Sequence, residues 1–263
     1  MECIRPVNIQ GQDFPCGQCR ACRINRTREW ATRIMHEVAY WDKTVFVTLT
    51  YSDNFLPADN GLWKRDVQLF LKRLRKDIAP DVIKYYAAGE YGDRFGRPHY
   101  HLIIFGLSRG DHDLLEGAWS LGMVHTGNVS MTSARYVTSY VQKKYNGRKA
   151  TEEYGDRQPP FQTCSQGIGL RWLQQNEHYV REKLGLTVEG KAQPLPRYYR
   201  KKLGIKAEAY DDLYKERIQK DNEYYEKHSL EGQAIAKYKK ARRQQSEEAL
   251  RTLDELRGGK GKL

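Results

Sequence analysis

The 263-residue chain contains no run of 18 consecutive apolar residues, so no membrane-spanning helix is expected. Its opening residues, MECIRPVNIQGQDF, hold no apolar stretch, and no secretory signal is expected either. Cysteine is scarce, at five residues, and without an export signal these do not read as a disulfide framework. No G-x-x-x-x-G-K-[ST] loop occurs, which argues against a nucleotide-driven motor in the chain. Acidic residues are in deficit: 33 Asp and Glu face 45 Lys and Arg, a net charge of +12. Mean hydropathy is low, −0.81. An apolar fraction of 39% still suffices for a core at this length.

What is abundant is positive charge and tyrosine, of which there are 18. Together they point to a polyanionic partner, most simply nucleic acid. The surplus is uneven. From residue 206 onward 14 Lys and Arg meet 12 Asp and Glu, a net of +2, so residues 1–205 carry +10. The basic excess belongs to the body of the chain.

Hydrophobic period predicts the elements. Residues 25–41 carry Trp30, Ile34, Val38 and Trp41 at helical spacing. TVFVTLTY (44–51) is β-branched and aromatic, a buried strand. Residues 63–78 place Val67, Phe70, Leu71, Leu74 and Ile78 on one helix face, stopped by Pro80. Strands are expected at 82–90 and 99–107, joined by the Gly- and Pro-bearing hairpin loop 91–98. A helix at 111–121, a strand at 123–129 and a helix at 133–145 follow. Residues 147–169 read as loop, 171–183 as helix, 191–197 as extended chain, and 207–257 as one or two charge-laced helices. The expected class is α+β: a central antiparallel, RRM-like sheet flanked by helices. It carries a Cys-rich segment at 1–24, a main domain at 25–205 and a charged helical tail at 206–263.

Two clusters carry chemistry. His99 and His101 lie two apart in a strand, so both imidazoles share a face with Tyr100 opposite. Glu90 closes the preceding strand and comes across from them over the hairpin. Two imidazoles and a carboxylate with open positions suit Mg²⁺ or Mn²⁺ held against a phosphate. The plain alternative is a polar pair on an exposed strand. Tyr136 and Tyr140 are neighbours on one helix face, followed by Lys143 and Lys144. A phenol with a pKa near 10 is a weak nucleophile. It can attack a phosphodiester where the phosphate is neutralised and its phenolate stabilised. The product is a phosphotyrosine and a free 3′-OH. Taken singly, each tyrosine reads as packing; the combination with the histidines supports a nucleophile.

FVTLTY (46–51), GRPHYHLIIFG (96–106) and YVTSYVQKK (136–144) stand in the order of the three motifs of rolling-circle initiators. The chain resembles the HUH endonucleases of the two-tyrosine class. PCGQCRACR (15–23), GEYGDRFGRPHYH (89–101), SQGIG (165–169) and LPRYYRKKL (195–203) resemble, within them, the replication initiators of gokushovirus-type microviruses. The resemblance covers about residues 1–205. It implies His99 and His101 as metal ligands with Glu90 as third, Tyr140 as first nucleophile, Tyr136 as second, and Lys143 beside the phosphate. It also implies an antiparallel sheet whose metal face is open, with helices behind. The implied activity nicks the plus-strand origin of single-stranded DNA, keeps the 5′ end on tyrosine, and rejoins the displaced strand. Host helicase and polymerase would be partners, in the host bacterial cytoplasm.

Cys3, Cys16, Cys19 and Cys22 form a candidate tetrahedral zinc site. An iron–sulfur cluster and reduced free thiols are the alternatives, and Cys164 stands apart. Arg94 and Arg97 in the hairpin loop are candidate phosphate contacts, or solvated loop arginines. Arg197, Tyr198 and Tyr199 interleave charge and ring, which suits single-stranded DNA, or begin an ordinary helix. Two competing functions are compatible with these residues. One is a non-catalytic RRM-like nucleic-acid module. The other is a transposase or relaxase on the same fold.

Overall fold

The computed structural model describes residues 1–10, 12–92, 96–140 and 148–259. In chain order the elements are β1 Val7–Ile9, β2 Gln12–Phe14, α1 Arg20–Val38, β3 Thr44–Thr50, α2 Lys64–Asp77, β4 Lys84–Tyr91, β5 Pro98–Phe105, α3 His112–Trp119, β6 Val124–Gly127, α4 Met131–Ser139, α5 Arg148–Tyr154, β7 Phe161–Cys164, α6 Leu170–Gln175, α7 Glu177–Lys183, β8 Gly185–Val188, β9 Lys191–Pro194, α8 Arg197–Lys202, α9 Asp211–Lys227 and α10 Gln233–Gly259. Contacts divide the chain into two units: Thr27–Glu177, and Met1–Arg26 together with His178–Leu263.

The unit Thr27–Glu177 is built on a five-stranded sheet of order β6-β3-β5-β4-β7, every neighbouring pair antiparallel. Alternation in TVFVTLT sets its two faces. Val45, Val47 and Leu49 are fully buried on one side, where α2 (Val67, Phe70, Leu71, Leu74) and α3 (Leu115, Ala118, Trp119) cover them. Tyr100, the residue between the two histidines, sinks into this rear core. Its hydroxyl accepts from Trp63 N at 2.7 Å and shares a 2.8 Å bond with the Tyr51 hydroxyl, which donates to Asp66 at 2.6 Å. The histidine strand is thus pinned to the start of α2.

On the other face Tyr86, Ile103 and Phe105 are buried against Ala31 and Ile34 of α1 and Ala134 and Val137 of α4. This corrects the expectation of a face left open with helices only behind. One part of the metal face is roofed, because its apolar side chains need burial as much as those behind. The polar part stays accessible. Residues 147–169, read as loop, contain α5 and the fifth strand, β7, which pairs with β4. Its four residues, FQTC, are too short to show a period. The helix expected at 171–183 divides into α6 and α7 at Asn176.

The unit of the two chain ends contains the β1–β2 and β8–β9 hairpins and the long helices α9 and α10. Ile4, Ala21 and Leu250 form a small buried cluster there. Among the described residues, no helix is long and apolar enough to cross a membrane.

Candidate active site

Register places the polar residues in two rows on one face of the sheet. Thr48 lies between His101 on β5 and His125 on β6; His99 lies between Thr50 on β3 and Glu90 on β4. Residues two apart on a strand share a face, so these side chains border one open cleft of about 400 Å³. Gly92, Tyr136 and Tyr140 complete its lining.

His101 is 5% exposed and bridges two partners. Its Nε2 lies 3.2 Å from Glu90 Oε1, and its Nδ1 lies 3.0 Å from Thr48 Oγ1. With the proton on Nε2, the ring donates to Glu90 and accepts from Thr48. With the proton on Nδ1, the ring donates to Thr48 and frees the Nε2 lone pair beside the carboxylate. Glu90 Oε2 is buried with no hydrogen-bond partner. A buried carboxylate oxygen without a donor is costly. Burial holds His99 below the usual imidazole pKa; the Glu90 charge pulls it back up, and those of His101 and Arg97 push it further down. The neutral ring is the form that ligates a metal. Orphaned oxygen, two imidazoles and an open cleft therefore fit a divalent cation. Gly92 makes room for His99: a Cβ there would stand 2.7 Å from His99 Cε1.

The tyrosines arrive from α4. Ser130 caps that helix: Ser133 N donates to Ser130 Oγ at 3.2 Å, and Ser130 N donates to Ser133 Oγ at 2.8 Å. This start phases Tyr136 and Tyr140 toward the histidines. The Tyr140 ring stacks on His101 with centroids 4.6 Å apart, and Tyr136 meets Tyr140 edge-on at 4.7 Å. Their exposures differ widely, 48% for Tyr136 and 6% for Tyr140. Burial raises the Tyr140 phenol well above its ordinary range, and the Tyr136 hydroxyl and the Glu90 charge add to it. A phenolate at Tyr140 thus needs positive charge near Glu90.

Other candidate residues stand elsewhere. Lys143, Lys144 and Arg94 lie outside the described residues. The Arg97 guanidinium donates to Tyr51 O at 2.8 Å and pairs with Asp53 at 2.7 Å, fastening the hairpin to the loop after β3. Arg197, Tyr198 and Tyr199 sit at the start of α8, in the other unit. Tyr199 is fully buried, which corrects its reading as a base-stacking residue: its ring is already spent on packing. The ligand atoms of Cys3, Cys16, Cys19 and Cys22 all lie within 4.8 Å of one another; Cys164 is on β7. Thr48 and His125 escaped the sequence reading. Their signal was strand alternation, Thr48 two residues from Phe46 and Thr50, but it needed the cross-strand register to become visible.

A family model described as a replication-associated protein, ORF2, matches residues 44–145, a span holding the whole cleft. Replication-associated protein VP4 of Bdellovibrio phage phiMH2K is 31% identical over 242 residues, covering 76% of this chain and 76% of that protein. Replication-associated protein ORF2 of Spiroplasma virus 4 is 28% identical over 252 residues, 84% of this chain and 77% of that one. Replication-associated protein ORF4 of Chlamydia phage 1 is 26% identical over 237 residues, 80% of this chain and 56% of that one.

Proposed function

The chain belongs to the family of phage replication-associated proteins, and from that premise we propose that it initiates rolling-circle replication by nicking single-stranded origin DNA through a tyrosine. The observation that carries this reading is the seating of both helix tyrosines on the His101–Glu90 pair, with Tyr140 stacked on the imidazole at 4.6 Å. A nucleic-acid module that merely stacks bases has no use for a buried carboxylate oxygen without a partner.

His99, His101 and Glu90 would hold Mg²⁺ or Mn²⁺. The cation supplies charge that polarises the scissile phosphate and offsets Glu90. The protein's own groups do the rest. Thr48 fixes the His101 ring. Tyr136 or Tyr140 loses its phenolic proton and forms an O–P bond to the phosphate, while the P–O3′ bond breaks and the 3′ oxygen takes up a proton. The number of phosphodiester links is unchanged, so a later 3′-OH can reverse the step and close a circle. A second tyrosine on the same helix face allows a repeat before the first DNA end is released. The sequence assigns Lys143 to stabilise the phenolate. Strand separation falls to another protein, since the chain has no phosphate-binding loop of the motor type; a host helicase and polymerase fill those places in the host bacterial cytoplasm.

The test is transfer of 3′-end-labelled single-stranded origin DNA onto the protein in a denaturing gel. A covalent adduct is expected with Mg²⁺ or Mn²⁺. Chelator, His101→Ala, or the double change Tyr136→Phe with Tyr140→Phe should abolish it. An undiminished adduct in the double tyrosine variant would refute the nucleophile assignment. Binding without cleavage of any origin strand would favour the non-catalytic module.

A further inference from the structure

The four cysteines near the N-terminus play no part in the cleft chemistry. Cys3 precedes β1, Cys16 and Cys19 form a turn after β2, and Cys22 lies in the first turn of α1. Cys3 Sγ is 3.6 Å from Cys16 Sγ and 3.7 Å from Cys19 Sγ. Four thiolates bound to one ion at about 2.3 Å in a tetrahedron stand about 3.8 Å apart. The observed spacing is that of a single-ion site. A cluster of several iron and sulfide atoms would hold its cysteines farther apart than the 4.8 Å that encloses all four sulfurs.

The backbone is shaped to the same end. Gly17 takes φ of +73° between Cys16 and Cys19, which folds the C-x-x-C turn tightly. Cys19 N donates to Cys16 Sγ at 3.2 Å and Cys16 N donates to Cys3 Sγ at 3.3 Å. Such donors stabilise charge on sulfur. The start of α1 adds the positive end of its helix dipole.

The segments bearing these cysteines also hold α10. Ile4 and Ala21, each adjacent to a ligand cysteine, are buried with Leu250. Arg5 pairs with Glu247 at 2.7 Å and Asp13 with Arg243 at 2.7 Å. We infer that Cys3, Cys16, Cys19 and Cys22 bind one structural Zn²⁺, and that this ion clasps the C-terminal helix α10 to the N-terminal segment. Removing the ion frees the loops on which Leu250, Glu247 and Arg243 rest.

Elemental analysis of the full chain, purified without a metal-affinity step, tests the first half independently of DNA cleavage. One zinc per chain is expected, kept in the His99→Ala, His101→Ala double variant. Cobalt exchange should give the absorption of a tetrahedral tetrathiolate. Cys3→Ser should release its metal to a chelator at least about tenfold faster. For the second half, trypsin should cut α10 at Lys239, Lys240, Arg242 or Arg243 about tenfold faster once zinc is stripped from the wild-type chain. Absence of stoichiometric zinc, iron with acid-labile sulfide in its place, or zinc lost in the histidine variant and kept in Cys3→Ser would overturn the site. Unchanged proteolysis of α10 after stripping would overturn the clasp.

Discussion

At the residue scale the cleft depends on side chains that orient others. Thr48 touches His101 at 3.0 Å through the ring nitrogen that does not face Glu90. Partners of this kind commonly contribute roughly 10–100-fold to metal affinity or activity. Thr48→Val should therefore lower adduct formation about tenfold or more and raise the Mn²⁺ concentration needed, while Thr48→Ser restores both. A titration of adduct against Mn²⁺ checks this, and an unchanged midpoint in Thr48→Val contradicts it. A second residue sets a pH dependence. His36 stacks on Trp172 with centroids 3.6 Å apart, and burial holds its pKa down to about 4. The unfolded chain binds this proton near pH 6.5 and the folded chain does not, so between those values the unfolded state holds more protons. Stability is full above pH 6.5 and falls on acidification toward pH 4, by up to about 3 kcal/mol. Denaturant unfolding at pH 7 and pH 5 should show that slope, and His36→Phe should flatten it.

At the scale of elements, what the sequence made legible was what lies in long, periodic segments. α2 is expected at 63–78 and spans Lys64–Asp77; β3 is expected at 44–51 and spans Thr44–Thr50. The pairing of Glu90 with His99 followed from the hairpin. Short elements carried no such signal, as with β7, and neither did the roofing of the sheet, which is a matter of contacts between distant segments. SQGIG, used only as a point of resemblance, has a structural reason. Ser165 N donates to Tyr85 O at 2.8 Å, Ile168 O accepts from Arg33 Nε at 3.2 Å, and Gly169 N donates to Glu37 at 2.7 Å. Glu37 is 2% exposed and also accepts from Lys84 at 2.7 Å and Trp41 at 3.0 Å. This single carboxylate ties α1, β4 and the start of α6 together. Glu37→Ala leaves three donors without an acceptor and should cost about 2–3 kcal/mol. Thermal or urea unfolding measures it, and a loss below half a kilocalorie would mean that the carboxylate is not the tie.

At the scale of the molecule, the +10 charge of residues 1–205 runs with the segment matched by the phage replication-associated proteins, and the tail is nearly balanced. The cleft lies wholly within Thr27–Glu177, and the cysteines within the unit formed by the two chain ends. That grouping of N-terminus with C-terminus joins residues more than 200 apart in sequence, as in the pair of Arg5 with Glu247. No local pattern encodes such a contact. The central claim is chemical: a tyrosine of α4 becomes joined to DNA. Its most direct test is peptide mass spectrometry of the adduct formed on single-stranded origin DNA, after nuclease digestion to a short remnant. The account predicts a nucleotide on the peptide containing Tyr136 and Tyr140, attached through phosphate to one of their hydroxyls. A remnant on any other residue, or nicked DNA whose 5′ phosphate is free from the first turnover, would contradict it.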